Sequence, residues 1–324
     1  YYDANGIPLR TRMIANITRL NRMGSLWPGL YNFFMKNRVA SGIINRTIGF
    51  ATKRSMPLLQ EQTLKKWMKR YVKELHSKTP ENGKVYLFND EFTNFNDTDI
   101  GIKTIQLLSR LGYEVIIPGH MESGRAYLSK GLVRRAKKIA NRNIGLLKDM
   151  VTEEAPLVGI EPSAILAFRD EYPDLSTPEN KEDAGKLARH AYMIDEFLAR
   201  EMEKGNIRKN QFTDEQTEVL LHGHCQQKAV ASTDPTKYIL SFPDNHNVEE
   251  IPSGCCGMAG SFGYEKEHYD ISMKIGELVL FPAIRSADKK TVIAAPGTSC
   301  RHQIMDGTSR KAWHPVEVLY NALK

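Results

Sequence analysis

The chain has 324 residues, of which 41% are hydrophobic and 26% charged, with a formal net charge of +7 and four cysteines. That composition excludes wholesale disorder, and the length fits about two domains at ~150 residues each. No apolar run nears the ~20 residues that a membrane-crossing helix needs, since the longest, at 218–221 and 278–281, are strand-sized.

The basic excess is local. Residues 1–83 hold fifteen Lys/Arg against four acids (Asp3, Glu61, Glu74, Glu81), a net of +11, which leaves 7 − 11 = −4 for the remainder. A nucleic-acid footprint would be broader, so no nucleic-acid partner is expected. Nothing at the start reads as a signal peptide, which makes a reducing, cytoplasmic setting the default. The chain opens Tyr-Tyr-Asp, as a piece of a longer chain would.

Residues 1–80 read as helices. Met13, Ile14, Ile17 and the 20–23 stretch recur at helical spacing with Arg12, Arg19 and Arg22 between them. Breaks are expected at Trp27-Pro28-Gly29 and Ser55-Met56-Pro57, a basic helix over 60–75, and a linker over 77–83. Thereafter Val85-Tyr86-Leu87-Phe88 predicts a strand, 97–111 a helix, Val115-Ile116-Ile117 a strand and 132–150 a helix. Leu157-Val158-Gly159-Ile160 predicts another strand, and 180–203 one amphipathic helix. Strands alternating with such helices argue for a parallel sheet. Val219-Leu220-Leu221, the 248–251 stretch and Val292-Ile293-Ala294-Ala295 predict further strands, with a helix over 269–280.

The two halves align on each other. Val85-Tyr86-Leu87-Phe88-Asn89-Asp90-Glu91 matches Val219-Leu220-Leu221-His222-Gly223-His224-Cys225. The Pro118 to Gly124 segment matches Pro252 to Gly257, and Pro162-Ser163-Ala164 matches Pro296 to Cys300, each with a small slip. The intervals agree: Glu91 to Ser123 to Ala164 spans 32 then 41 residues, and Cys225 to Cys256 to Cys300 spans 31 then 44. An internal duplication is therefore expected: a basic helical extension at 1–83, a first repeat at 84–210 and a second at 211–324.

Cys225, Cys255, Cys256 and Cys300 each fall just after an expected strand. Ligands of open parallel sheets bind beyond the carboxyl ends of strands, so these thiols should converge. Convergent thiolates suit zinc or iron–sulfur chemistry. Buried apolar thiols are the plainer alternative. The glycines of Ser253-Gly254-Cys255-Cys256-Gly257-Met258-Ala259-Gly260 permit close backbone approach.

His222-Gly223-His224-Cys225, Gly254-Cys255-Cys256-Gly257 and Gly297-Thr298-Ser299-Cys300-Arg301-His302-Gln303 together resemble the cysteine-rich CCG domain. The likeness is greatest to the C-terminal iron–sulfur part of FAD-linked oxidases of the D-lactate or glycolate dehydrogenase type, related to the cysteine-rich subunit of heterodisulfide reductase. Phe88-Asn89-Asp90-Glu91-Phe92-Thr93-Asn94, Gly159-Ile160-Glu161-Pro162-Ser163 and Arg169-Asp170-Glu171-Tyr172-Pro173 look like the first CCG repeat. The resemblance covers roughly 84–324, and 1–83 looks like the helical linker after a ferredoxin-like module.

What the resemblance implies is a [4Fe-4S] cluster passing electrons from reduced flavin to an acceptor such as quinone. Carried over residue by residue, its ligands are Cys225, Cys255, Cys256 and Cys300. The FAD-binding and ferredoxin-like domains would belong to the same full-length chain or to a partner subunit, so this chain alone should not turn over substrate. The sequence departs from the pattern twice. The fuller signature ends Cys-x-x-Cys, whereas Gly297 and Gln303 stand three residues either side of Cys300, and the first repeat has Glu91, Glu122-Ser123 and Ala164 in place of thiols. Adjacent cysteines also point in different directions. A Cys/His zinc site, with His224 or His302 as nitrogen ligand in a zinc-stabilised module docking a partner dehydrogenase, is therefore the rival reading.

Other constellations have plainer readings. Asp90, Glu91, Glu122 and His120 should gather at the first half's strand ends, as a hard-metal or acid–base site or as polar replacements at an exposed sheet edge. Cys225 with His222 or His224 has the makings of a nucleophile and base, and the vicinal cysteines of a disulfide. Arg134, Arg135, Lys137 and Lys138 fit a solvated helix face, and the glycines from Gly254 to Gly263 do not form a dinucleotide fingerprint. Trp27, Phe33, Phe34 and Trp67 of the basic extension either pack as core, the simpler reading, or rest peripherally on the anionic inner face of a membrane.

Overall fold

The computed structural model describes residues 1–75 and 80–324, so 77–79 of the expected linker lie outside the described residues. The architecture is α/β, in two tandem pseudo-repeats preceded by a basic helical extension. The first sheet comprises β1 (Lys84–Phe88), β2 (Glu114–Ile116), β3 (Leu157–Gly159) and β4 (Ala191–Met193), in the order β2-β1-β3-β4. The second comprises β5 (Thr217–Leu221), β6 (His246–Glu250), β7 (Val292–Ala294) and β8 (Ala312–Trp313), in the order β6-β5-β7-β8. All pairings within the two sheets are parallel, and the registers correspond: Leu87 lies opposite Val158 as Leu221 lies opposite Ala294.

Period-2 alternation puts each central strand between two cores. Val85 and Leu87 of β1, with Val219 and Leu221 of β5, enter one core shared by both repeats. Tyr86 and Phe88 face a core built on the first repeat, against which Val230 and Ala231 of the second also pack, and Leu220 faces one confined to the second. Two helix pairs fill the shared core. Thr98–Arg110 packs on Pro315–Ala322, and Ile194–Glu203 packs on Asp234–Leu240. Each pair takes one helix from each repeat, the arrangement expected of a pseudo-twofold relation.

The segment expected as one helix over 180–203 is instead helix Lys181–Arg189, strand β4 and helix Ile194–Glu203. Its apolar spacing runs through unbroken, and pairing of Ala191-Tyr192-Met193 with β3 overrides it. The two-residue β8 gave no sequence signal. The expected 269–280 helix is two, Tyr269–Leu278 and Leu280–Ser286, broken at Val279.

Among the described residues, the extension forms six helices between Tyr2 and Leu75. Trp67, on helix Leu64–Leu75, packs into the shared core, but Trp27 is 70% exposed, Phe33 66% and Phe34 43%. The core reading therefore holds for Trp67 and fails for the other three. Arg54, its side chain fully buried, bolts the extension to the second repeat. It donates to the Gly263 carbonyl at 3.0 Å, to Gln303 Oε1 at 2.7 Å and to Asp306 at 2.9 Å. Arg134, Arg135, Lys137 and Lys138 lie on an exposed helix face, as expected. Among the described residues, no helix is long and apolar enough to cross a membrane.

Candidate metal centre

The chain leaves β5 towards β6 on one side and reaches β7 on the other, so a crevice opens at the carboxyl ends of β5 and β7. The four cysteines border it. Cys225 opens helix Cys225–Val230 after β5, Cys255 and Cys256 follow β6, and Cys300 is the third residue of helix Thr298–Thr308 after β7. Gly257 has φ +95°, and a Cβ there would run into the Ser272 carbonyl. Only glycine makes the turn after the vicinal pair without strain.

All four thiols are free, graded from exposed Cys225 through half-buried Cys255 to buried Cys256 and Cys300. Each interacts electrostatically with the next, Cys225 with Cys255, Cys255 with Cys256 and Cys256 with Cys300. Backbone N–H groups point at the vicinal pair, Gly257 N to Cys255 Sγ at 3.3 Å and Met258 N to Cys256 Sγ at 3.5 Å. The interaction with Cys225, followed by that with Cys256, holds the Cys255 thiol well below its ordinary value. The neighbouring Cys256 does the same for Cys300, against burial and with help from His222. Cys225 and Cys256 are correspondingly raised.

The histidines divide. His222 is fully buried. Its Nδ1 lies 2.8 Å from Ser253 Oγ, and its Nε2 is buried without a hydrogen-bond partner. One ligand atom from each of His222, Cys256 and Cys300 lies within 4.8 Å of the others. His222 thus faces Cys300, which removes the expected pairing with Cys225 as a base. His224 caps helix Cys225–Val230, its Nδ1 accepting from Gln226 N at 3.3 Å. Its ring fills the space beside Gly297: a Cβ at 297 would collide with that ring and stand 3.4 Å from Cys300 Sγ. His302 sits instead among the charges of Asp97, Asp306, Arg301 and Arg54, and burial lowers its pKa. Gln303 turns away from the thiols, donating to the Ser272 carbonyl at 3.0 Å. Of the two positions where the fuller signature would place a further cysteine, only Gly297 borders the site.

The first repeat's counterpart is closed. Glu91 is buried, and its carboxylate accepts from Ser123 N at 2.9 Å and Ser123 Oγ at 2.6 Å. Asp90 caps helix Glu91–Phe95, accepting from Phe92 N at 2.8 Å and Thr93 N at 3.0 Å. Burial, then the neighbouring Glu91, raises Asp90 to about 7. Ala164 lies in the apolar core. Glu122 is taken by Thr18 of the extension, and His120 Nε2 accepts from Asn89 N at 3.2 Å. The four polar residues expected to gather are thus separately partnered, and Asp90 and Glu91 are buried, not at an exposed edge.

Two residues that sequence reasoning did not single out for the site build it. Ser253 orients His222, and Glu161, at the end of β3, accepts from Thr298 N at 2.8 Å, so the first repeat caps the helix that carries Cys300. Both lie within three residues of a strand end, the one signal that pointed to them.

No family model matches the chain. It is 27% identical to D-2-hydroxyglutarate dehydrogenase of Pantoea ananatis over 321 residues, 96% of this chain and 30% of that protein. To one subunit of the anaerobic glycerol-3-phosphate dehydrogenase of Escherichia coli it is 23% identical over 324 residues, 99% of this chain and 79% of that subunit. It is 30% identical to lactate utilization protein A of Bacillus subtilis over 186 residues, 55% of this chain and 74% of that protein. The chain spans about a third of the length of the D-2-hydroxyglutarate dehydrogenases it matches. With that share of lactate utilization protein A matched at that identity, the chain belongs to the family of lactate utilization protein A.

Proposed function

We propose that the chain is the iron–sulfur electron-transfer portion of a flavin-linked oxidoreductase acting on D-2-hydroxy acids, with a CCG-type site made by Cys225, Cys255, Cys256 and Cys300. The observation that carries this reading is the convergence of four free thiols, each interacting with the next, at the carboxyl ends of β5, β6 and β7. The donor set fits the group. Thiolates are the ligands such clusters take, N–H groups already point at two of the sulfurs, and a buried imidazole nitrogen beside them lacks a partner. When bound, a [4Fe-4S] cluster supplies a one-electron redox centre. Cys256 and Cys300 bury their side of the site, while exposed Cys225 marks the side open to a donor or acceptor.

The flavin and the hydroxy-acid site belong, in this reading, to FAD-binding and ferredoxin-like domains of a longer chain or partner, and electrons pass to an acceptor such as a quinone. The exposed Trp27, Phe33 and Phe34, set among the +11 of residues 1–83, suit a peripheral contact with an anionic inner membrane face. The mixed nitrogen and sulfur set of His222, Cys256 and Cys300 favours a second reading, a zinc-stabilised docking module.

Anaerobic purification followed by iron, sulfide and zinc analysis and visible absorption separates them. The cluster reading expects coloured protein with iron and sulfide in equal amounts. Colourless protein with stoichiometric zinc would sink it.

A further inference from the structure

We propose that His222, through Nε2, is a direct nitrogen ligand at the thiol site, and that His224 is not. The inference rests on the reading of that site as a metal or cluster centre, and it assigns a residue to it.

The hydrogen-bond partners suit the two rings to different roles. Ser253 Oγ lies 2.8 Å from His222 Nδ1 and 3.5 Å from the Ile251 carbonyl. With the serine proton turned to that carbonyl, the serine oxygen accepts from Nδ1–H. In that tautomer Nδ1 holds the ring proton and Nε2 carries a bare lone pair. This is the arrangement of metal-bound histidines, whose second nitrogen donates to an oriented oxygen. The lone pair has no partner, although the ring is wholly buried. An unmet buried acceptor destabilises the fold unless something absent from the free chain binds it. The sulfurs of Cys256 and Cys300, within 4.8 Å, fix where that something sits.

His224 has the opposite tautomer. Its Nδ1 accepts from the Gln226 N–H, so its proton resides on Nε2, which can donate but not ligate. The ring stands beside Gly297 and Cys300, where Nε2–H suits a hydrogen bond to sulfur. The position that lacks a cysteine, Gly297, is thus filled by a donor, and the missing ligand is supplied by His222 from the end of β5.

The test uses the full chain with ¹⁵N-labelled histidine, prepared anaerobically as wild type and as His222→Ala, His222→Cys and His224→Ala. Pulsed EPR of the reduced protein reads a bound nitrogen where the metal is iron, and X-ray absorption reads it where the metal is zinc, as a nitrogen shell at ~2.0–2.1 Å beside sulfur at ~2.3 Å. The expected result is one bound nitrogen in wild type and in His224→Ala, and none in His222→Ala. His222→Cys should keep full metal content with an all-sulfur shell, which also shows that the fold survives. With iron, its midpoint potential should fall, because histidine in place of cysteine raises it. Nitrogen persisting in His222→Ala, or a wild-type shell of sulfur alone, would overturn the assignment while leaving the thiol site standing. Wild-type chain that takes up neither iron nor zinc would overturn both.

Discussion

The two repeats end their strands in equivalent places and do opposite things with them. After β1, Glu91 and Ser123 satisfy each other through two hydrogen bonds, and the position is closed. After β5, Cys225 and Cys256 occupy the equivalent places, and the neighbouring His222 nitrogen is left unmet. Strand order and the register of the central strand pairs are alike, and what separates the two sites is a few side chains. The closed repeat is not redundant. It contributes half of the shared core, and its Glu161 caps the helix bearing Cys300. A repeat that loses its own ligands can therefore be held in place by what it supports in the other.

The largest test of that contrast is metal uptake. Cys256→Ser should abolish stoichiometric metal binding, because a serine hydroxyl is neither a thiolate nor soft. Ser123→Ala, at the matching position, should leave metal content unchanged when both are assayed after anaerobic reconstitution. Equal loss in the two variants would mean that the repeats do not differ as described. Gly257→Ala should also bind metal poorly, by forcing a left-handed turn onto alanine against the Ser272 carbonyl. Its melting temperature should drop by several degrees.

Much of this is legible in the residues alone. The duplication can be read because Val85 to Glu91 and Val219 to Cys225 share a strand and the turn after it, and the thiols converge because sheet topology requires it. Three things are hidden. The β4 residues sit inside an unbroken helical periodicity, and only pairing with β3 makes them extended. Trp27 and Phe33 have the spacing of core residues, but nothing in spacing tells whether another element covers them. The two histidines before Cys225 are equivalent on paper. Only Ser253 Oγ and the Gln226 N–H, partners fixed by the fold, tell them apart.

A pH series sharpens the comparison next. Asp90 caps a helix in the closed repeat where His224 does so in the open one, and burial beside Glu91 raises its carboxyl from 3.8 to about 7. A folded-state value above the unfolded one adds stability that is complete below about pH 4 and is lost as pH rises through 7. At roughly 1.4 kcal/mol per unit, the loss approaches ~4 kcal/mol. Asp195, raised to about 6 by burial, adds in the same direction. Asp90→Asn keeps an oxygen for Phe92 N and Thr93 N but cannot ionise. Urea unfolding at pH 5 and pH 8 should therefore show a smaller decline in the variant than in wild type. An identical decline would remove Asp90 as its cause.

The smallest effect concerns the link between the repeats. One oxygen of Glu161 receives the Thr298 N–H at the start of helix Thr298–Thr308, and the other receives Ser163 Oγ–H at 3.0 Å. Glu161→Gln can still accept at one oxygen, but it gives up the charge that complements the helix dipole. A cost of about 0.5–2 kcal/mol in denaturant unfolding is expected, the range of helix-cap losses. Metal content should hold, because the carboxylate meets the helix and not the sulfurs. Loss of metal without loss of stability would place Glu161 at the thiol site itself, and the closed repeat would then be part of the centre, more than its support.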